Sequence, residues 1–203
     1  MDEALQEALE RFTERYANGE VPWDDALPPP EVQALASSLP PGRALDLGCG
    51  YGRTAIYLAQ NGWRVDAIDF VPEAITEAKK RAAEANVAGK IQFHVGSVAD
   101  LDFLTERYDL AIDIGCMHAL TQPQQQAYRD GLLRLLNSSA PYLLFARLQE
   151  PQGAEDEEDA RFQGLLEEDI LALFTEFKLQ RSELGVTEGS DYRWRSGWFW
   201  YER

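Results

Sequence analysis

The sequence predicts an α/β fold built on a doubly wound sheet, and three observations predict it. Short apolar runs alternate with segments whose apolar residues recur at helical spacing, the order expected of successive β-α-β units. The first run, Ala44-Leu45-Asp46-Leu47, leads directly into Gly48-Cys49-Gly50-Tyr51-Gly52-Arg53, a glycine-rich turn ahead of a helix-like segment. The run Tyr108 to Ile114 is almost continuously apolar, as a central parallel strand buried on both faces must be.

Glycine suits such a turn because it accepts φ > 0 and, lacking Cβ, lets a ligand lie against the backbone N–H groups. The dinucleotide pattern G-x-G-x-x-G would put its third glycine at position 53. The chain has Gly48, Gly50 and Gly52 instead, with Arg53 following. Asp46 stands two residues before the first glycine. A carboxylate has no use in an anion site, but it pairs with a ligand's ammonium group. Asp46-Leu47-Gly48-Cys49-Gly50-Tyr51-Gly52 resembles the first motif of class I S-adenosylmethionine-dependent methyltransferases, D/E-x-G-x-G-x-G. The resemblance implies a Rossmann-like seven-stranded sheet, mostly parallel with an antiparallel last strand and helices on both faces. It also implies S-adenosylmethionine as cofactor, S-adenosylhomocysteine as product, and cofactor contacts at Asp46, Gly48, Cys49, Gly50 and Gly52.

The elements follow in order. Leu5, Ala8, Leu9, Phe12 and Tyr16 recur at helical spacing over Asp2 to Ala17, and Asn18-Gly19 can end that helix. Val21-Pro22-Trp23-Asp24 and Pro28-Pro29-Pro30 hold too much proline for a helix or a central strand, so an arm comes next. An aromatic residue in such an arm either packs or faces a ligand. Pro-Trp-Asp resembles the arm of the thiopurine, tellurite-resistance and thiol/halide branch of the family, which implies that Trp23 lies over the methionine end of the cofactor. A helix from Pro30 or Glu31 to about Ser38, a strand Arg43 to Leu47, a helix Thr54 to Gln60 and a strand Trp63 to Asp69 come next. Asp69 closes its strand at the end where a doubly wound sheet presents ligands. A carboxylate there can accept both ribose hydroxyls, or it can cap the helix that starts near Pro72. Phe70 flanks the adenine or packs under that helix.

The helix Pro72 to about Asn86 turns Ala74, Ile75, Ala78, Ala82 and Ala85 to the sheet and leaves Lys79, Lys80 and Arg81 as a solvated face. After the strand Ile91 to Val95, Ser97 and Val98 stand where the family usually has an acid beside the adenine, so the resemblance carries that contact to them, with Asp100 as a substitute acid. The strand Tyr108 to Ile114 ends in Asp113-Ile114-Gly115-Cys116-Met117-His118, at the switch point beside the first strand. This segment resembles the family's fourth motif, which implies that Asp113 and Ile114 border the cofactor; Asp113 either faces it or fixes the loop. His118 is one of two histidines. It is structural, or it is a substrate-side general base, since an unperturbed imidazole suits proton removal near neutral pH. A helix Gln122 to Leu136 containing Gly131, a strand Pro141 to Leu148, a helix Glu167 to Phe174 and strands Phe177 to Leu184 and Tyr192 to Tyr201 complete the chain. The last strand's Trp194, Trp198, Phe199 and Trp200 read mostly as core. The acidic stretch Glu150 to Gly164 reads as a solvated loop or a lid.

The 203 residues, 45% of them hydrophobic, suit one globular domain. Its expected parts are a helix and cap arm (1–41), a cofactor-binding core (42–148), an acidic loop (149–165) and a C-terminal helix with a strand pair (166–203). A formal charge of −16 repels phosphate backbones and anionic membrane surfaces, which disfavours nucleic acid and membrane partners. Two cysteines, no secretory leader and no apolar run of ~20 residues point to a cytoplasmic enzyme, monomeric or dimeric, without a disulfide framework. No metal constellation is visible.

The expected reaction is methyl transfer to a small-molecule acceptor, a soft nucleophile such as a thiol, a halide, or a selenium or tellurium species. The alternatives are a natural-product O or N acceptor and a non-catalytic S-adenosylmethionine-binding module. An NAD-dependent oxidoreductase is disfavoured by Arg53 and by the acid before the glycines. Soft acceptors need positioning more than proton transfer. A hydroxyl or amine would need a base, for which His118 and Tyr16 are the candidates. Asp69→Ala is expected to weaken cofactor binding and leave the fold intact.

Overall fold

The computed structural model describes residues 3–149, 164–188 and 193–203. Its helices are α1 (Glu3–Asn18), α2 (Pro30–Ser38), α3 (Arg53–Gln60), α4 (Pro72–Glu84), α5 (Gln122–Leu135) and α6 (Glu167–Leu173). Its strands are β1 (Arg43–Leu47), β2 (Arg64–Asp69), β3 (Ile91–Val95), β4 (Leu110–Ile114), β5 (Pro141–Arg147), β6 (Lys178–Glu188) and β7 (Arg193–Glu202). Among the described residues these strands form one sheet in the order β3-β2-β1-β4-β5-β7-β6. The pairs from β3 through to β5 are parallel, and β7 runs antiparallel between β5 and β6. The chain order reverses between β1 and β4, which places the ligand crevice at the C-terminal ends of those two strands. The acidic stretch Glu150 to Gln163 lies outside the described residues.

Residues Leu45, Leu47, Ala111 and Leu144 pack on one side of the sheet against Tyr128, Leu132 and Leu135 of α5. Residues Ala44, Val65, Ala67, Ile112 and Leu143 pack on the other, against Val32 of α2 and Ala55, Leu58 and Ala59 of α3. Both faces of β1 and β4 are therefore covered, which is why their sequences are apolar without alternation. Gly131 sits inside α5 for a steric reason: a Cβ there would come 2.9 Å from Leu101 Cδ1. The close approach of the Leu101 loop outweighs the helix-weakening effect of a glycine.

Some boundaries depart from expectation. β4 begins at Leu110, because Tyr108 bridges to Leu136 and the Asp109 carboxylate accepts the Arg43 N–H at 2.9 Å. β6 runs on to Glu188, well past Leu184, since β7 offers it a partner as far as Arg193. Arg81 is not simply part of a solvated face. Its guanidinium donates to both Asp24 oxygens, at 2.7 and 2.9 Å, and lies over the Tyr51 ring at 4.5 Å. Arg53 also pairs with Asp25 at 3.0 Å, so two arginines tie the proline-rich arm down beside the glycine turn. Fork-shaped bidentate pairing fixes orientation as well as distance. Among the described residues, no helix is long and apolar enough to cross a membrane.

Candidate functional site

A cleft of about 1020 Å³ opens at the C-terminal ends of β1, β2, β4 and β5, roofed by α1 and the proline arm. Gly48, Gly50 and Gly52 all have positive φ (70°, 53° and 80°). At Gly48 the lack of a side chain is also a matter of space, since a Cβ would come 2.5 Å from Cys116 Cβ. At Gly50 an added Cβ would meet Tyr16 Oη at 3.0 Å and Trp23 Nε1 at 3.8 Å, so the arm's indole and the α1 phenol both lie over the glycine turn. Trp23 is edge-on to Phe12 and Tyr16, and Phe12 is edge-on to Phe70. These contacts give one aromatic cluster over the turn.

Asp46 lies beneath that turn, 3% exposed; it does not line the cleft itself but a small adjoining cavity of about 40 Å³ shared with Trp23, Gly48 and Ile114, and its Oδ2 is buried without a hydrogen-bond partner. Burial pushes its carboxyl up to about 7, against the opposing pull of the Ala55 N–H and the Arg53 charge. A buried carboxylate oxygen without a donor is costly. A ligand ammonium at this spot would remove the cost, so the residues present fit the amino-acid end of S-adenosylmethionine. Asp69 Oδ2 accepts the Gly50 N–H at 2.9 Å and Oδ1 accepts the Val71 N–H at 3.0 Å. Asp69 also lines the cleft, and each carboxylate oxygen keeps a second lone pair for a ribose hydroxyl. Burial raises its carboxyl above the usual range. Because Asp69 braces the glycine turn, Asp69→Ala should cost stability as well as affinity. Two buried N–H groups lose their acceptor, for roughly 2 kcal/mol or more. Urea unfolding of the free protein should register that loss, and Asp69→Asn should lose less.

Phe70, Ser97, Val98 and Ile114 line the cleft, and Ser97 Oγ accepts the Ala99 N–H at 3.2 Å. Asp100 is exposed and not among the lining residues. Asp113 takes the loop-fixing role. Its Oδ1 accepts the Cys116 N–H at 2.7 Å, and its Oδ2 accepts the Met117 N–H at 3.0 Å and the Tyr128 hydroxyl at 2.9 Å. With both oxygens so engaged and no exposure, it does not face the cleft. Cys49 and Cys116 are free thiols, and burial raises both well above the ordinary thiol range, with nearby carboxylates adding to the rise. They pack beside the turn as protonated, unreactive groups.

Neither candidate base is poised to take a proton. Burial holds the Tyr16 phenol well above its ordinary range, and the Asp69 charge adds to this. Burial lowers His118 to about 4, with the Arg147 charge acting in the same direction. His118 Nδ1 accepts the Arg147 backbone N–H at 3.1 Å, so the neutral ring carries its proton on Nε2 and is a donor there. The expectation of a base with an ordinary imidazole pKa is therefore corrected. The sequence reading also missed part of the cleft wall. Trp194, Trp198 and Arg147 line the cleft, whereas Phe199 and Tyr201 of the same last strand are core. The signal was available in the two-residue period of a strand, which separates Trp194 and Trp198 from Phe199. Among the described residues, no group of three or more His, Cys, Asp or Glu could hold a metal ion.

Residues 44–139 match the family model of a methyltransferase domain. The chain is 29% identical over 124 residues to 2-heptyl-1-hydroxyquinolin-4(1H)-one methyltransferase of Mycobacteroides abscessus, covering 61% of this chain and 54% of that relative. It is 38% identical over 82 residues to magnesium-protoporphyrin O-methyltransferase of Rhodobacter capsulatus, covering 40% of this chain and 36% of the relative. The chain thus spans about half the length of the first relative and about a third of the second. It also superposes on Burkholderia thailandensis 1,6-didemethyltoxoflavin-N1-methyltransferase, with TM-score 0.74, 19% identity and coverage of 100% of this chain and 91% of the other. That structure holds 1,6-didemethyltoxoflavin and S-adenosylhomocysteine. The matched segment contains the glycine turn, Asp69 and the loop after β4, which lie together at one end of the cleft. Residues 44–139 thus resemble a methyltransferase domain, and the sheet that contains them has the fold of S-adenosylmethionine-dependent methyltransferases.

Proposed function

We propose that this chain transfers a methyl group from S-adenosylmethionine to a small molecule whose nucleophilic atom attacks without the protein removing a proton. The observation that carries the acceptor half of this reading is the state of the two candidate bases. Tyr16 keeps its proton, and His118 is neutral with its proton on Nε2. An acceptor placed beside them must be nucleophilic as it arrives. Thiolates, halides and selenium or tellurium anions meet that condition, as in the thiopurine, tellurite and thiol/halide branch that the Pro-Trp-Asp arm resembles.

When bound, the cofactor supplies a methyl group on a sulfonium, so transfer forms one bond to carbon and leaves the departing electron pair on sulfur. Asp46 holds the ammonium end, the glycine turn admits the ligand to the backbone, and Asp69 takes the ribose. Trp23 and Tyr16 cover the turn and exclude water, which leaves positioning as the main contribution to rate. The cleft walls also favour a second reading within the same chemistry, an oxygen or nitrogen acceptor already ionised in water. The aromatic wall of Phe145, Trp194 and Trp198 offers far more contact area than a halide can use.

The test is S-adenosylhomocysteine production across iodide, bisulfide, aryl thiols, selenite, tellurite, phenols of graded acidity and amines. Turnover is expected with acceptors that are already nucleophilic at the assay pH, anions above all, and not with neutral hydroxyls or thiols. A kcat profile without an ascending limb between pH 6 and 7, unaltered in His118→Ala, is expected too. Turnover of neutral amines with such a limb, lost in His118→Ala, would show that His118 is a base after all. Cofactor binding without turnover on any acceptor would favour a non-catalytic binding module.

A further inference from the structure

Beyond the cofactor end, the cleft is walled by β5 and β7. Phe145 lies 4.6 Å from the Trp198 ring and 5.8 Å from the Trp194 ring, centroid to centroid, and all three line the cleft. The Arg147 guanidinium sits over Trp194 at 5.7 Å from its centroid and lines the same space. Its backbone N–H holds His118, so wall and loop meet at this one residue. The charge of the lining runs against that of the chain. A protein of formal charge −16 places five arginines on this cleft (11, 15, 53, 147 and 193) against three carboxylates, Glu7, Asp25 and Asp69, among the described residues. Asp25 and Arg53 offset each other, Arg193 also pairs with Glu188 at 3.9 Å, and the lining keeps an excess of positive over negative groups among the described residues. A concave site with an excess of one sign of charge focuses that potential inward.

We propose that the methyl acceptor is a flat aromatic anion, its ring lying against the Phe145–Trp194–Trp198 wall and its negative group held by the Arg147 guanidinium. Aromatic faces recognise planar rings by offset or edge contact. A guanidinium carries five N–H donors, so one that lies over an indole and has other partners can still donate to an oxyanion. This inference rests on the reading of the cleft as a methyl-transfer site and names its acceptor class. The charge that Arg147 binds is also what makes the acceptor nucleophilic without a base, so recognition and reactivity select the same molecules.

The experiment is calorimetric titration of protein saturated with S-adenosylhomocysteine, using three inert probes: 2-naphthoate, its neutral methyl ester, and cyclohexanecarboxylate. Expected is binding of 2-naphthoate at least tenfold tighter than either of the others. Arg147→Gln should abolish the preference for acid over ester, Arg147→Lys should keep part of it, and both should bind S-adenosylhomocysteine as the parent does. Trp194→Ala should abolish the preference for the aromatic over the alicyclic acid. Equal binding of acid and ester, equal binding of the two acids, or no binding of any probe overturns the proposal. Failure of S-adenosylhomocysteine itself to bind overturns the methyl-transfer reading instead, so the two failures are distinguishable.

Discussion

Lowering the pH from 7 to 5 should weaken S-adenosylhomocysteine binding about 50-fold, about fivefold over the first unit and about tenfold over the second, because the proton that Asp46 takes up must leave before the ligand's ammonium can pair with it. The sign follows from the direction of the shift. Burial raises the Asp46 carboxyl to about 7 in the free protein, with Asp113 and Asp69 adding to the rise and Arg53 opposing it. Its folded value therefore lies above its unfolded one. The stability this group contributes is fully present below the ordinary carboxylate range and is lost as the pH rises through 7. The bound ammonium reverses the preference by favouring the ionised form. Over this range the free protein loses stability with rising pH at this group, while the ligand's stabilising effect grows. Asp46→Asn should flatten the profile and, at pH 7.5, weaken binding by about 100-fold, or ~2.7 kcal/mol. Calorimetric titrations at pH 5, 6, 7 and 7.5 on both proteins check this. A parent profile as flat as the variant's would remove Asp46 from the ammonium site.

What the sequence made legible was local. The glycine turn, Asp46 and Asp69 are neighbours along β-α units, so spacing and strand ends suffice to place them at one end of the sheet. The central strands were readable because burial on both faces leaves a plain apolar run. Relationships between distant segments were not readable. Asp24 and Arg81 are 57 residues apart, and neither the arm nor α4 carries a local sign that one will grip the other. Gly131 looked like a flaw in a helix because its reason lies in Leu101, on another loop. Trp194 and Trp198 read as core in the sequence because aromatic content alone does not say which face of a strand meets a cleft. The state of His118 was illegible for a similar reason: its lowered pKa comes from burial and from Arg147, 29 residues away.

Asp113→Ala should cost roughly 3–5 kcal/mol of stability, the largest loss expected of any single side chain at this site, even though Asp113 does not touch the cleft. Three donors converge on the carboxylate, namely two backbone N–H groups of the loop after β4 and the Tyr128 hydroxyl, all within 3.0 Å. Tyr128 in turn shares a hydrogen bond with Tyr142 at 2.9 Å, and both phenols are fully buried. Alanine leaves the buried Met117 N–H and Tyr128 hydroxyl, and the part-buried Cys116 N–H, without this acceptor, and each such buried group costs about 1–3 kcal/mol. Asp113→Asn keeps one acceptor oxygen but turns an amide donor toward donors, so about half the loss is expected. Tyr128→Phe removes one donor together with its need, and about 1 kcal/mol should suffice. This ordering separates the hydrogen-bonding account from simple packing, which predicts little effect for Asn because it matches Asp in size. The same substitutions should disturb the acceptor side more than the cofactor side. The Asp113 carboxylate pins Cys116 and Met117, and the next residue is His118 at the acceptor wall, whereas Asp46 and Asp69 are held from β1 and β2. A rise in acceptor KM with unchanged S-adenosylhomocysteine affinity is therefore expected in whichever variants remain folded. An Asp113→Ala protein within 1 kcal/mol of the parent in urea unfolding at pH 8 would mean that the loop finds other acceptors, and that Asp113 is not what fixes it.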